Sequence, residues 1–273
     1  MNIGRKGRDL ATIIGIAFGF GMLLLAYGIE GGNFGSLVSS ISPFLIVVGG
    51  TLGATMVSFK MEDIYNIPKL IGQAASEKVV PTKDLLEMFI TFSEKSRREG
   101  ILSLENDIED LANIDPLMYK GMKLIIDGTD PEVVKHTITN DIFLYEQKRR
   151  HEASIFEQAG GFSPTMGIIG TVLGLVNVLG RLASPEALGP AVALAFIATL
   201  YGISFANLFW LPIANKLKLN LANTKLQKEL VLEAMISIQQ GENPSIMKDK
   251  LEDYLNEKEK KKLKQQESPT VER

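Results

Sequence analysis

The sequence predicts an all-α integral membrane protein with four transmembrane helices, a large helical cytoplasmic domain between spans 2 and 3, and a cytoplasmic C-terminal helical tail. Its basic residues are segregated: no lysine or arginine lies between Arg8 and Lys60, and only Arg181 lies between Arg150 and Lys216. The remaining segments are densely charged and carry apolar residues at helical spacing. An average soluble domain mixes its charges more evenly, so this segregation indicates that much of the chain lies in a bilayer.

The composition excludes several classes of protein. The chain has 273 residues, no cysteine and two histidines, so neither a disulfide framework nor a histidine-based metal cluster is expected. It contains no GxxxxGKS or GxxxxGKT phosphate loop and no HExxH pair. No paired carboxylates or nucleophile–base set stands out. We therefore expect no enzymatic activity, no metal, no cofactor and no nucleic-acid partner.

Residues 1–59 are predicted to form an N-terminal segment and spans 1 and 2. Three basic residues precede an apolar run over residues 10–28, which at about 1.5 Å per residue is long enough to cross the hydrocarbon core. No small-x-small cleavage site follows it, so we interpret the run as a retained span rather than a signal peptide. The second apolar run covers residues 37–59 and contains Pro43.

Residues 60–160 are predicted to form the cytoplasmic helical domain. One helix begins at Pro81 and ends before Gly100. Asp130 suits the N-cap of a helix that starts at Pro131 and can continue without a break into the third span. Between them lie two shorter predicted helices, one over residues 117–126 and one with an apolar stripe of Leu102, Leu104, Ile108 and Leu111. No segment shows the alternation of a strand.

Residues 161–212 are predicted to hold spans 3 and 4, and residues 213–273 a cytoplasmic C-terminal helix and a charged tail that is disordered from about Glu257. Apart from Arg181 at the outer end of span 3, the four spans contain no Asp, Glu, His, Lys or Arg, although a transporter usually needs an ionisable residue within the membrane. Each of spans 3 and 4 instead has a face of small residues. On span 3 these are Ser163, Gly167, Gly170, Thr171 and Gly174, and on span 4 Ala191, Ala195, Thr199, Gly202 and Ala206.

Two interpretations of these faces remain open. Small residues let helices approach closely in lipid, so the faces could pack on each other within one chain. Alternatively, they form a groove that a partner chain's helix completes, bringing the charge that the four spans lack. On the second interpretation Thr171 and Thr199 line the ion pathway. The residues that would pack on the partner helix are Gly167, Gly170, Gly174, Ala195 and Gly202.

Two prolines lie at the predicted cytoplasmic ends of these spans, Pro164 in span 3 and Pro212 in span 4. Each removes a backbone donor and tends to kink its helix. We interpret them as hinges that couple the membrane to the charged domain; a boundary proline without a function is the alternative. The charge distribution sets the orientation: with both termini cytoplasmic, every lysine and arginine except Arg181 lies inside.

Four stretches identify a resemblance. Residues 159–175 (AGGFSPTMGIIGTVLGL), 191–202 (AVALAFIATLYG) and 207–217 (NLFWLPIANKL) resemble the third- and fourth-span motifs of the flagellar stator channel family, MotA. Residues 97–105 (RREGILSLE) resemble the cytoplasmic signature of that family. With the four spans, the resemblance covers nearly the whole chain.

The resemblance implies a ring of five chains around two single-span MotB helices, which supply the ion-binding aspartate, in the bacterial cytoplasmic (inner) membrane. The family's pore-facing threonines fall on Thr171 and Thr199, and its prolines on Pro164 and Pro212. Its torque-transmitting charges, which face the rotor protein FliG, fall on Arg97 and Glu105. Without the resemblance, the charges at residues 97–99 would be interpreted as a solvated helix end.

The ion and the exact role stay open. Hydroxyl oxygens such as that of Thr171 suit sodium, but sodium-driven relatives tend to have a threonine where this chain has Ala198, so we favour protons. Energisers of outer-membrane transport such as ExbB and TolQ belong to the same superfamily, but they have three spans and an outward N-terminus. A non-conducting scaffold that uses its small residues only for packing is a third interpretation.

Overall fold

Helix dominates the chain in this computed structural model, which describes residues 5–8, 10–32, 34–38, 41–180, 185–257 and 259–261. The helices are α1 (Leu10–Ile29), α2 (Phe34–Val38), α3 (Ile41–Phe44), α4 (Gly50–Ser58), α5 (Met61–Tyr65), α6 (Ile67–Ala75), α7 (Thr82–Glu99), α8 (Leu111–Ile114), α9 (Pro116–Ile126), α10 (Pro131–Leu179), α11 (Pro185–Phe205), α12 (Leu211–Gln239) and α13 (Pro244–Glu252). π-Helical turns at Leu45–Gly49 and Ala206–Trp210 join α3 to α4 and α11 to α12.

The four predicted spans are confirmed. Helical runs long and apolar enough to cross a membrane are Leu10–Ile29, Ile41–Ser58, Pro131–Leu179 and Leu188–Gln239. The helix predicted to start at Pro131 does continue into span 3, because α10 is unbroken over 49 residues. Arg181 and the end of the predicted disordered tail lie outside the described residues, as does part of the loop between spans 3 and 4.

The chain folds into two compact units. The spanning unit comprises Arg8–Glu77 and Arg149–Asn220; the polar unit comprises Lys78–Lys148 and the chain from Leu221 onward, with the first residues of the N-terminal strand. The division therefore falls at residues 77, 148 and 220. The sequence predicted domain boundaries at residues 59, 160 and 212. In the structure α5 and α6 belong to the spanning unit, whereas the prediction placed them in the cytoplasmic domain.

The predicted all-α class is confirmed, since helix accounts for almost all of the described residues. Two short strands, β1 (Arg5–Arg8) and β2 (Ser76–Val79), also pair into a two-stranded sheet, although neither shows strand-like alternation in its sequence. One expectation for the polar segments was wrong. The predicted helix with the apolar stripe is a 3₁₀ turn, Ile101–Leu104, followed by turns and the four-residue α8. Leu104, Ile108 and Leu111 are nevertheless buried, since turns can also direct residues at such spacing into one core.

The core of the polar unit is built from α7, α9, α13 and the portions of α10 and α12 that lie in it. Its largest buried side chains include Phe89, Met122, Ile138 and Leu230. The predicted helix ends are confirmed: Gly100 follows α7 with φ +84°, and Asp130 Oδ1 accepts a hydrogen bond from the Glu132 amide at 2.9 Å.

The short helix α13 is held to the polar unit by buried apolar residues and by an exposed ion pair. Met247 and Leu251 are fully buried. Lys250 lies 2.6 Å from Glu242, and its hydrogen bond, with a second from Ser237, lowers the pKa of the Glu242 carboxyl. Because the folded pKa is depressed, this contribution to stability is present above the ordinary value of 4.5 and is lost as the pH falls below it.

One ion pair lies inside the polar unit. The ammonium of Lys228, whose residue is 6% exposed, contacts Asp115 and lies 4.8 Å from the centre of the Tyr145 ring. Asp115 also caps α9, since its Oδ1 accepts from the Leu117 amide at 2.9 Å. Removal of Asp115 would leave a buried cation without its counter-charge, which is costly.

We expect Asp115→Ala to destabilise the protein by about 2 kcal/mol, below the range for fully buried pairs because Asp115 is partly exposed. Asp141→Ala is the matched control, because its ion pair with Lys120 (2.6 Å) is more exposed and contributes at most about 1 kcal/mol. Thermal unfolding of the full chain in detergent, followed by circular dichroism, measures both. Equal effects of the two substitutions would contradict the prediction.

Candidate functional site

The membrane portion of α10 crosses helix α11 where Gly167 and Gly202 face each other. A Cβ atom built on Gly202 would lie 2.7 Å from the Ser163 carbonyl oxygen and 3.0 Å from the Gly167 Cα. A Cβ on Gly167 would lie 3.0 Å from the Ala198 carbonyl oxygen. All of these neighbours are backbone atoms, which cannot move aside as a side chain can. A side chain at position 202 would therefore clash with backbone, and one at position 167 would require the helices to separate by a few tenths of an ångström.

The close contact continues along both helices. Gly170 faces Ala198, whose Cβ would be 2.6 Å from an added Cβ, and Gly174 faces Ala195 in the same way at 2.6 Å. The small-residue faces of the two spans thus pack on each other. Within the chain, the space at Gly167, Gly170, Gly174, Ala195 and Gly202 is occupied by the neighbouring span, which supports the first of the two sequence interpretations.

The crossing brings hydroxyl groups together. Ser163 Oγ donates to the Gly202 carbonyl at 2.9 Å, and both residues are buried. The Thr171 hydroxyl contacts the Thr199 hydroxyl directly, and Thr171 Oγ1 also lies 3.0 Å from the Ala195 carbonyl oxygen and 3.1 Å from that of Gly167. Two hydroxyls and two carbonyls therefore meet at one point between the spans, and we call them the oxygen cluster.

The oxygen cluster has limited chemistry. Thr171 has one hydroxyl proton and three oxygen neighbours, so it donates to one of them at a time. The two threonines are half-buried rather than sealed. The described segments 161–180 and 188–211 contain no Asp, Glu, His, Lys or Arg. The cluster can orient water or bind a cation through oxygen, but it carries no net charge.

Both prolines lie within helices or at their first turn. Pro164 is inside α10, and Pro212 is the second residue of α12. The missing N–H of Pro212 would have bonded to Leu208, which lies in the π-helical turn, and a wider turn relieves both the lost bond and the steric conflict. A buried cluster of the spanning unit draws residues from both helices, Phe156 and Ala159 from α10 and Ile213 and Ala214 from α12. Both prolines are themselves half-buried.

The two predicted rotor-facing charges flank one tight turn of the polar unit. Arg97 lies in the last turn of α7 and Glu105 follows the 3₁₀ turn; both are exposed. An ion pair between Lys95 and Asp107, 2.6 Å apart, fastens this turn to α7. Neither Arg97 nor Glu105 takes part in an ion pair among the described residues, so both charges are free to contact another molecule.

Comparison with known proteins identifies the family. Residues 13–100 match the family model described as "Motility protein A N-terminal", and residues 110–230 match the "MotA/TolQ/ExbB proton channel family". Chemotaxis protein PomA of Vibrio alginolyticus is 34% identical over 249 residues, covering 91% of this chain and 96% of the relative. Motility protein A of Aquifex aeolicus is 38% identical over 240 residues, covering 88% and 94%. The chain belongs to the motility protein A family.

A solved structure agrees with this membership. The structure of the flagellar MotAB stator complex from Bacillus subtilis matches with a TM-score of 0.86 and 32% identity, covering 92% of this chain and 98% of that one. The N-terminal family model covers spans 1 and 2 and residues 97–100. These parts of the chain lie outside the channel model that is shared with TolQ and ExbB, so they match motility protein A specifically.

The sequence indicated that small residues mattered but left open which helix lies against them. Ala198 and Ser163 were not chosen as site residues, yet Ala198 packs on Gly170 and Ser163 bonds to Gly202. Their signal was present, since Ser163 lies on the small face of span 3. Helical spacing shows that a face is small, but it does not show which helix lies against it.

Proposed function

We propose that this chain is a stator subunit of the bacterial flagellar motor, which with a single-span MotB-type partner forms an ion channel and converts ion flow into torque on the rotor. The observation that carries the proposal is the pairing of Thr171 with Thr199 at a glycine crossing, in spans whose described residues provide no charge. The function is ion conduction and mechanical work rather than catalysis.

The ion carrier is proposed to come from the partner. An aspartate on the MotB-type helix would add the negative charge that the oxygen cluster lacks. Because the small-residue faces are occupied within the chain, the partner helix is proposed to contact other faces of span 3. The exposed apolar residues there are Ile168, Ile169, Val172, Leu173, Leu175, Val176 and Leu179. Exposed apolar faces of this kind are also proposed to form the contacts between neighbouring chains in a ring of five around two partner helices.

Protons are the proposed ion, and sodium is the alternative. The oxygen cluster favours sodium, since hydroxyl and carbonyl oxygens are ligands for hard cations. Position 198 favours protons, because alanine there supplies no hydroxyl and its methyl group faces Gly170. Swimming speed with the sodium gradient collapsed and the proton gradient intact tests the choice: persistence supports protons, and arrest overturns them.

The polar unit and both termini are proposed to be cytoplasmic, with the spans in the inner membrane. The positive-inside rule supports this orientation. Movement is proposed to pass between the membrane and the polar unit along α10 and α12, with Pro164 and Pro212 setting where each helix bends. The position of both prolines inside helices supports bending of a helix rather than motion of a loop.

The proposal is tested by the double substitution Thr171→Val with Thr199→Val, which keeps side-chain shape and removes both hydroxyls. Ion flux through the complex with its partner is expected to fall roughly tenfold or more, since loss of hydrogen-bonding groups at a conduction step costs about 1–3 kcal/mol. Thr165→Val is the matched control: Thr165 is exposed and its hydroxyl bonds to its own helix at Phe162, 2.7 Å away. Unchanged flux in the double variant would refute the assignment.

A further inference from the structure

Thr51 lies inside span 2 with an unsatisfied hydroxyl. The residue is 0% exposed, and its Oγ1 is the one buried serine or threonine oxygen that lacks a hydrogen-bond partner among the described residues. Other hydroxyls of span 2 bond back to their own helix one turn earlier: Thr55 donates to the Thr51 carbonyl at 2.8 Å, and Ser58 to the Ala54 carbonyl at 3.0 Å. A buried hydroxyl without a partner is costly, most of all within a bilayer.

The π-helical turn at Leu45–Gly49 explains why Thr51 lacks this bond. The residue one turn before Thr51 is Val47, which lies inside the π-helical turn, and the Gly50 amide donates to the carbonyls of both Ile46 and Val47. A π-helical turn closes over one residue more than an α-helical turn, so the Val47 carbonyl is not presented to Thr51 in the usual way. If the turn becomes α-helical, Val47 lies one regular turn before Thr51 and can accept its hydrogen bond.

The second π-helical turn that the structure describes, Ala206–Trp210 in span 4, is fixed. Pro212 follows it and has no N–H for an α-helical bond to Leu208, and Asn207 Nδ2 donates to the Ile203 carbonyl at 2.9 Å. Residues 50–58 of span 2 contain no proline. Of the two π-helical turns, the one in span 2 is therefore the one that can convert to α-helix.

Conversion moves the part of span 2 that precedes the turn. The change of one residue per turn shifts this part by about 1.5 Å along the helix and rotates it by about 100°. Two contacts with span 4 oppose the movement. The rings of Phe44 and Phe205 have centres 6.4 Å apart, and the Tyr201 hydroxyl donates to the Leu37 carbonyl. Because Tyr201 lies in the same turn of span 4 as Thr199, these contacts also hold one side of the oxygen cluster in place.

We propose that span 2 alternates between two registers and that Thr51 is the positioning residue that balances them. In the π register, which the structure shows, span 2 keeps its contacts with Phe205 and Tyr201, and Thr51 is unbonded. In the α register Thr51 bonds to Val47, both contacts are released, and the turn of span 4 that carries Thr199 is free to move. The inference rests on the proposed function, in which passage of an ion along the oxygen cluster requires both registers.

Thr51→Val tests this balance. It keeps the side-chain shape, but removes the unbonded hydroxyl of the π register and the hydrogen-bond donor of the α register. The unfolding temperature of the complex with its partner is expected to rise by roughly 2–4 °C, and ion flux in vesicles to fall roughly tenfold. A purely structural role would not combine greater stability with lower flux. Thr51→Ser retains the donor and is expected to restore both values.

Thr55→Val is the matched control for this substitution, because Thr55 is also buried in span 2 but its hydroxyl is bonded. Its unfolding temperature is expected to fall rather than rise, while flux per assembled complex is retained. An unfolding temperature that does not rise in Thr51→Val would mean that the Thr51 hydroxyl is already satisfied, as by an internal water, and overturns the proposal.

A pair of cysteines reports the register directly, because the chain contains no cysteine of its own. Phe44→Cys with Phe205→Cys is treated with a short bifunctional thiol reagent, in vesicles with and without an ion gradient. Bridging is expected to fall several-fold under the gradient and to stay high when Thr51→Val is added. Gly19→Cys with Leu208→Cys is the control, since it joins span 1 to span 4 at a contact that the register of span 2 does not change.

The remaining outcomes separate the two proposals. Bridging that the gradient does not alter, or normal flux in Thr51→Val, overturns the two registers and leaves the proposed function standing. Absence of flux in the unmodified complex refutes the proposed function, and the two registers with it.

Discussion

Gly202→Val is expected to abolish rotation by forcing spans 3 and 4 apart. Even the Cβ atom of a new side chain would lie 2.7 Å from the Ser163 carbonyl oxygen and 3.0 Å from the Gly167 Cα, and valine adds two methyl groups beyond it. Overpacking of this kind costs about 1–3 kcal/mol even where side chains can adjust. Here the obstruction is backbone, so the helices themselves must move, and the contact between Thr171 and Thr199 would be lost.

Gly53→Val is the matched control for this substitution. It also places valine on a membrane span, in α4, but an added Cβ there meets nothing within 4 Å. Rotation of tethered cells and ion flux in vesicles that contain the complex measure the effect on function, and co-purification with the MotB-type partner reports assembly. Full flux and rotation in the Gly202 variant would show that spans 3 and 4 can move apart without loss of function. The close glycine contact would then not be needed for the mechanism.

Charge reversal at Arg97→Glu together with Glu105→Lys is expected to eliminate most of the torque while ion flux persists. Both side chains are exposed and make no ion pair among the described residues, so the fold loses nothing when they change. Exposed substitutions of this type alter stability by about 0.5 kcal/mol or less. Opposite charges on the rotor would instead meet like charges, which disrupts steering and register at a transient contact.

Asp249→Lys serves as the control for the charge reversal, because Asp249 is also exposed in the polar unit but lies on α13. Torque is measured from the rotation of tethered cells, and flux from vesicles as before. Undiminished torque in the double variant would mean that Arg97 and Glu105 do not face the rotor. Loss of flux together with torque would mean that these residues act on assembly of the complex.

Much of the fold followed from local signals in the sequence. The spans were predictable because length and apolarity alone define them, and the ends of α7 and α10 because Gly100 and Asp130 have specific backbone roles. The region after Gly100 was mispredicted because Leu104, Ile108 and Leu111 have helical spacing, while a 3₁₀ turn and tight turns bury them just as well.

Long-range pairings were not predictable in this way. Lys228 meets Asp115 from 113 positions away, and no local pattern marks either residue. The threonine pair was chosen in part from helical position and in part from the family resemblance, whereas the contact between the two hydroxyls depends on how the spans cross. The π-helical turn before Pro212 also escaped prediction, because proline signals a disturbance without specifying how the backbone absorbs it.

The contact between Gly170 and Ala198 constrains how this protein can evolve. An added Cβ at position 170 would be 2.6 Å from the Ala198 methyl group, so any larger residue there competes with position 198 for the same volume. Fitness effects at the two positions are therefore epistatic. A residue larger than glycine at position 170 is therefore expected to require a glycine at position 198.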